Sequence, residues 1–377
     1  MIKQDLLRQA LTSIESLPRQ SLQHWDLLIR QARSADLLAR LAVLIKQAGL
    51  LNSIPQQPRA HLESALVLAE AQAVAVRREV EHVRQALNML GIEPILLKGG
   101  AYLIAELPAA QGRLFSDLDI LVPHSRLAEV EATLMLNGWA TTHHDPYDQR
   151  YYRQWMHELP PMLHIRRMTV LDVHHAIVPA TADLKPSSNA LLDKAQTAVP
   201  GVRVLAPVDM VLHSATHLFY NEEFSHGLRD MSDLDLLLRH FSQQPDFWNE
   251  LLDRARELGL TRPLHYCLSY CTRLFATPVP ADIATAASRL DTHGYTRRIM
   301  DRLWLQVLGS LHPSARGTGA AIAGQLLYLR AHWHRMPPWL LLYHLCMKSL
   351  RPRRASPDSI NVAPPADQPG DAPESQR

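Results

Sequence analysis

The stretch Ile92–Leu127, IEPILLKGGAYLIAELPAAQGRLFSDLDILVPHSRL, decides how this 377-residue chain is read. It opens with a β-type run, Ile95, Leu96 and Leu97, which enters Lys98, Gly99 and Gly100; a helical pattern follows in AYLIAEL. A strand that ends in glycines at a helix start sets unpaired backbone N–H groups and the positive helix end beside any bound phosphate, and glycine allows close approach. Lys98 adds a direct charge. Taken alone, Lys-Gly-Gly is also the sequence of many plain turns.

The second element is SDLDILVP. On a strand, Asp117 and Asp119 point to one face while Leu118 and Ile120 point into the core. Two carboxylates on one face repel each other unless a divalent cation lies between them, and Mg²⁺ favours a pair of hard carboxylate oxygens together with substrate phosphate oxygens. Two solvated aspartates near a turn are the open alternative. Pro123 stops this strand, and Ser125 is the expected cap of a following helix.

The same letters recur in SDLDLLLRHF, where Leu228, Met231, Leu234, Leu237, Leu238 and Phe241 follow helical spacing. That puts Asp233 and Asp235 about 200° apart around the axis, so they cannot share an ion, and a helix with a solvated face is expected. A third acid for phosphoryl chemistry is offered by Asp172 in TVLDVHHAIV, in β-type context, with His174 on the same strand face as a candidate outer partner. Alone, Asp172 reads as structural; its weight comes from the pair upstream.

Outward from this centre, leucines and alanines recur at three- and four-residue spacing up to about Asn88, predicting helices broken by Pro55 and Pro58. Between Gly91 and about Pro200 short β-type runs alternate with turns and one clear helix, HSRLAEVEATLMLNGW. Helical periodicity returns from Ala206 to about Leu350, and the Pro-rich end has too few apolar side chains to offset ordering entropy. The expected organisation is an N-terminal helical region (1–88), an α+β core (89–204), a C-terminal helical domain (205–350) and a disordered tail (351–377).

Composition narrows the function class. The 47% hydrophobic and 20% charged residues exclude collagen-like, coiled-coil and wholly disordered chains. Lys and Arg number 39 against 37 Asp and Glu, so no overall field draws the chain to nucleic acid. Three cysteines, Cys267, Cys271 and Cys346, make neither a disulfide framework nor a four-ligand zinc site, which points to a reducing, cytoplasmic compartment. The polar start argues against secretion, and the most apolar windows are interrupted by Arg, Lys or His before a span's length is reached.

Together the three pieces resemble the polymerase-beta-like nucleotidyltransferase superfamily, and within it the uncharacterised nucleotidyltransferase family proteins, whose pattern is K-G, then R and D-x-D-L-L-V, then D-x-H. Here these are Lys98-Gly99, Arg113, Asp117 to Val122, and Asp172-Val173-His174. The segments LAPVDMVLHSATHLFY and LRDMSDLDLLL are similar to that group's C-terminal helices, and the likeness covers roughly residues 60 to 260. The resemblance implies a small mixed nucleotidyltransferase sheet with flanking helices, and transfer of a nucleoside monophosphate from an NTP such as ATP, with release of pyrophosphate. Asp117, Asp119 and Asp172 would be the catalytic acids holding Mg²⁺; Lys98, Gly99, Gly100, Arg113 and Ser116 would bind the nucleotide. Where most of the superfamily has Gly-Ser, this chain has Gly99-Gly100 and no hydroxyl, so Lys98 and Arg113 are expected to take over part of the phosphate contact. The acceptor is left open among a small molecule, a protein and a tRNA, and a catalytically silent scaffold is the alternative of another class.

Other constellations have plainer readings. His213 and His217 stand at i and i+4, but no third ligand is identifiable, so packing or hydrogen bonding is expected. Cys267 and Cys271 share a helix face as small buried residues. The segment QLLYLRAHWHRMPPWLLLYHLCMKSLRPRR reads as a core helix with a basic end, with peripheral membrane contact as the alternative.

Overall fold

A computed structural model describes residues 5–142, 145–221, 223–290 and 294–337. The Pro-rich tail and the apolar run 339–350 lie outside the described residues. The architecture is α+β: among the described residues 15 α-helices surround one seven-stranded mixed sheet, with helical regions at both ends. No described helix is long and apolar enough to cross a membrane.

The strands are β1 (Ile95–Leu96), β2 (Asp117–Leu121), β3 (Trp139–Thr141), β4 (Met162–His164), β5 (Val170–His174), β6 (Gln196–Val199) and β7 (Val202–Val204). Their order is β3-β4-β5-β2-β1-β7-β6. The pairs β2/β5 and β1/β7 are parallel and the others antiparallel. In the β2/β5 register Asp119 stands beside Asp172, Asp117 beside Val170 and Leu121 beside His174. Neighbours in register share a face, so the acids and His174 look out on one side. On the other side Leu118, Ile120, Leu171 and Val173 are no more than 3% exposed, and this burial fixes the register, because a one-residue slip would turn the acids into the core.

The short helix Lys98–Ile104 follows β1 directly. Neither of its glycines has a positive φ; what each needs is space. A Cβ on Gly99 would come within 2.2 Å of Arg113 Nη1, and one on Gly100 within 2.7 Å of Leu118 Cδ1. Lys98 itself has φ +46, a left-handed conformation that disfavours a side chain by about 1–2 kcal/mol and marks a constrained strand-to-helix junction.

Several expectations from the sequence are corrected. Pro58 does not break a helix: it lies in the first turn of Gln56–Asn88, where its missing N–H has no intrahelical partner to lose. Ser125 caps nothing; it sits inside a 3₁₀ turn, His124–Arg126, and the helix Leu127–Leu136 starts after it without a side-chain cap. The span taken as one helix thus divides into turn, helix and β3, and the helices Pro146–Trp155 and Ser188–Lys194 join it in this region.

The largest correction concerns Asp233 and Asp235, expected on a solvated face. They are 3% and 8% exposed. The helix Gly227–Phe241 that carries them packs against the helices Pro207–Tyr220 and Thr261–Phe275 and against the turn Pro108–Ala110, so no broad face is left to water. Asp233 accepts from Arg40 Nη1 at 2.6 Å and from Arg113 Nε at 2.9 Å. Arg40 also reaches Ser232 Oγ and the carbonyl oxygens of Ala109 and Gln111. This buried cluster joins an N-terminal helix, the segment before β2 and a C-terminal helix. The apolar core is likewise continuous, from Leu6 to Leu327.

Candidate active site

The acid-bearing face of β2 and β5 looks into a cavity of about 340 Å³. Lys98, Gly99, Arg113, Ser116, Asp117, Asp119, Asp172 and His174 all line it. Gly100 does not; it is turned against Leu118. The opposite wall comes from the helices Pro207–Tyr220 and Gly227–Phe241, through Ser214, His217, Tyr220, Arg229 and Asp233.

One ligand oxygen from each of Asp117, Asp119 and Asp172 lies within 4.8 Å of the others. Residues 53 positions apart in sequence therefore meet because two parallel strands hold them in register. Their surroundings differ sharply. Asp119 is buried and accepts from Lys98 Nζ at 2.8 Å; His174 Nε2 lies 2.9 Å from the same oxygen. Burial opposes its ionisation, but Lys98 and His174 outweigh that and hold its carboxyl well below the usual range. Asp117 is half in solvent and accepts from Ser116 Oγ at 2.9 Å.

Asp172 has no such help. Its Oδ1 is buried without a hydrogen-bond partner. Burial first, and then the charges of Asp119, Glu158 and Asp117, push its carboxyl up to about 8. Carboxylate oxygens crowded together, one of them bare, are the donor set a hard divalent cation takes. The residues present therefore fit Mg²⁺.

Two further cations frame the site. Lys98 is held charged: burial lowers its pKa, but Asp119 and Asp117 more than reverse that. Arg113 is committed to Asp233 and lies over the Phe115 ring at 5.5 Å, pressed against Gly99. Its glycine neighbour is therefore required by the guanidinium as well as by any approaching phosphate.

His213 is buried and His217 partly buried in the helical wall, and among the described residues no third ligand joins them. Cys267 and Cys271 are buried free thiols. Sequence reasoning missed Glu158 and His157, which line the cavity from the segment between the helix Pro146–Trp155 and β4. Glu158 Oε2 lies 3.2 Å from His174 Nδ1, so His174 is set between two carboxylates. Burial lowers its pKa, but the bond to Asp119 and the charge of Glu158 raise it overall. No periodicity flags HELP as a site; backbone pairing with the end of β5, where Leu159 N–H donates to Val173 O and His175 N–H to His157 O, brings it there.

No curated protein and no solved structure matches the chain. Residues 21–276 match the profile of a family described as uncharacterised nucleotidyltransferase. That span takes in both acid-bearing strands, the Lys98 turn and the helices facing them, and the chain belongs to the uncharacterised nucleotidyltransferase family.

Proposed function

We propose that this chain transfers a nucleoside monophosphate from an NTP to an acceptor hydroxyl or similar group, releases pyrophosphate, and needs Mg²⁺ to do so. The observation that carries the reading is the buried, unpartnered Oδ1 of Asp172 beside Asp117 and Asp119. A bare buried carboxylate oxygen is costly unless a proton or a cation reaches it, and three carboxylates together select a cation. When bound, Mg²⁺ supplies charge neutralisation on the triphosphate and alignment of the attacking and leaving oxygens.

The chain's own residues do the rest. Asp117, Asp119 and Asp172 hold the ion. Asp172, which faces the cavity beside the other two acids, takes the acceptor's proton. Lys98, Ser116, the Gly99 amide and Arg113 cradle the phosphates, with Asp233 fixing the Arg113 guanidinium in place. His174 and Glu158 orient Asp119.

The test is incubation with each NTP labelled at the α-phosphate, Mg²⁺ and cell extract, followed by identification of the small molecule, protein or tRNA that takes the label. Label transfer should stop on chelation and in the Asp117→Asn, Asp119→Asn double variant, while its melting curve stays cooperative. Undiminished transfer by that folded variant overturns the assignment of the acids; transfer from none of the NTPs overturns the activity.

A further inference from the structure

We propose that His157, Glu158 and His174 form a second metal site at the edge of this cavity, built for a zinc-like transition-metal ion rather than for Mg²⁺. One ligand atom from each lies within 4.8 Å of the other two. Glu158 Oε2 is 3.2 Å from His174 Nδ1 and 4.0 Å from His157 Nε2. Two ligands bound tetrahedrally at ordinary zinc distances stand about 3.3 Å apart, so small side-chain movements bring the three onto one ion.

The surroundings of His174 are those of a supported ligand. His174 directs its other nitrogen, Nε2, to Asp119 Oδ1 at 2.9 Å, and a carboxylate on the non-ligating nitrogen fixes ring and tautomer in metal-bound histidines. That leaves Nδ1 facing the Glu158 carboxylate at 3.2 Å, where one ion can take both. The ring of His157 makes no hydrogen bond among the described residues, and its Nδ1 is buried. Backbone pairing of Glu158 with His174 holds the group together.

Ligand chemistry separates this site from the acids beside it. Two imidazoles and one carboxylate suit Zn²⁺ and its transition-metal neighbours, whereas three carboxylates suit Mg²⁺. Because His157, Glu158 and His174 all line the cavity, a fourth position opens into it, where a water or an acceptor oxygen binds. The inference rests on this geometry and stands or falls apart from nucleotidyl transfer.

The experiment uses the full chain, stripped with chelator, reloaded with Zn²⁺ and freed of excess by gel filtration in a large excess of Mg²⁺. Expected is one Zn²⁺ retained per chain, with Co²⁺ in its place giving the intense visible bands of a four- or five-coordinate ion. His157→Ala and Glu158→Gln should each lose the retained ion and the bands, and Asp117→Asn should keep both. Where His157→Ala fails to fold, Glu158→Gln, which keeps the side chain's shape, decides alone. No retention by the wild type, displacement by Mg²⁺, unchanged retention in the folded variants, or loss in Asp117→Asn each overturns the proposal, the last by showing that the ion sits on the acids.

Discussion

Ser-Asp-Leu-Asp occurs twice, at 116–119 and at 232–235, and the two copies differ in what stands beside their carboxylates. The helix copy is closed by the protein's own donors: Asp233 takes the cations Arg40 and Arg113, and Asp235 takes the cation Arg239 and the Thr277 hydroxyl. The strand copy pairs Asp119 with Lys98 and His174 but stands beside a third acid, Asp172, one of whose oxygens is buried and left bare. Burial opposes ionisation at both Asp233 and Asp172. At Asp233 the two arginines reverse it and lower the pKa; at Asp172 neighbouring carboxylates add to it. Charge balanced from within makes a joint of the fold, whereas charge left unbalanced makes a place for something from outside.

The sharpest way to break this comparison is to neutralise each copy in turn. Asp119→Asn should lower kcat/KM for nucleotidyl transfer by about a thousandfold or more, a loss on the order of 4 kcal/mol in transition-state stabilisation. Asp235→Asn, away from the cavity, should leave transfer within about threefold, as read by the labelled-NTP assay. Asp233→Asn should act on the fold as well as on transfer, because Asp233 lines the cavity and holds Arg113. It leaves Arg40 and Arg113 without their buried anion and should lower the unfolding free energy by about 3–5 kcal/mol in urea denaturation.

Acidity gives the next contrast, and its sign differs between the copies. Asp172 is held up to about 8 when folded, so the folded state keeps a proton that the unfolded state releases near the ordinary carboxylate range. Its contribution to the stability of Mg²⁺-free protein therefore falls as pH rises from about 4 to about 8. Asp233 is held low, so its contribution is present above the ordinary carboxylate range and is lost on acidification. Denaturation at a series of pH values, with chelator present, should show the neutral-range decline in the wild type and not in Asp172→Asn. A decline of equal slope in that variant shows that other groups cause it.

The smallest effect expected is at the paired serines. Ser232 Oγ accepts a buried bond from Arg40 at 3.1 Å, whereas Ser116 Oγ donates to Asp117 at an exposed edge. Ser232→Ala should cost about 1.5–3 kcal/mol and Ser116→Ala below about 0.5 kcal/mol in the same denaturation assay. Equal costs would remove the distinction between joint and site drawn here.

Much of the site was legible because local patterning carries it. Alternation in Asp117–Val122 and Val170–Val173 predicts strands with their apolar residues inward, and in the parallel pair the acids fall on the remaining face. Lys98 and Asp119, 21 positions apart, announce a charged turn next to an acid pair, although not their direct contact. The misreadings arise where long-range packing overrules a local rule. Spacing made Asp233 look solvated, because the helix's partners, Arg40 in an N-terminal helix and Arg113 before β2, are invisible to a window of 15 residues. Ser125 has the chemistry of a cap, but the 3₁₀ turn around it uses a different entry to the helix.

The sequence by itself determined the alternation of strand and helix, the face on which Asp117 and Asp119 stand, and the family pattern, because periodicity and residue chemistry act over a few neighbouring positions. Only the tertiary structure decided that Asp172 joins those two, that Glu158 and His157 close in on His174, and that Asp233 serves Arg40 and Arg113 instead of water. These depend on which distant segments lie within a few ångströms of a carboxylate. In a low-dielectric interior, that proximity sets whether the same side chain is paired, protonated or left to hold a metal ion.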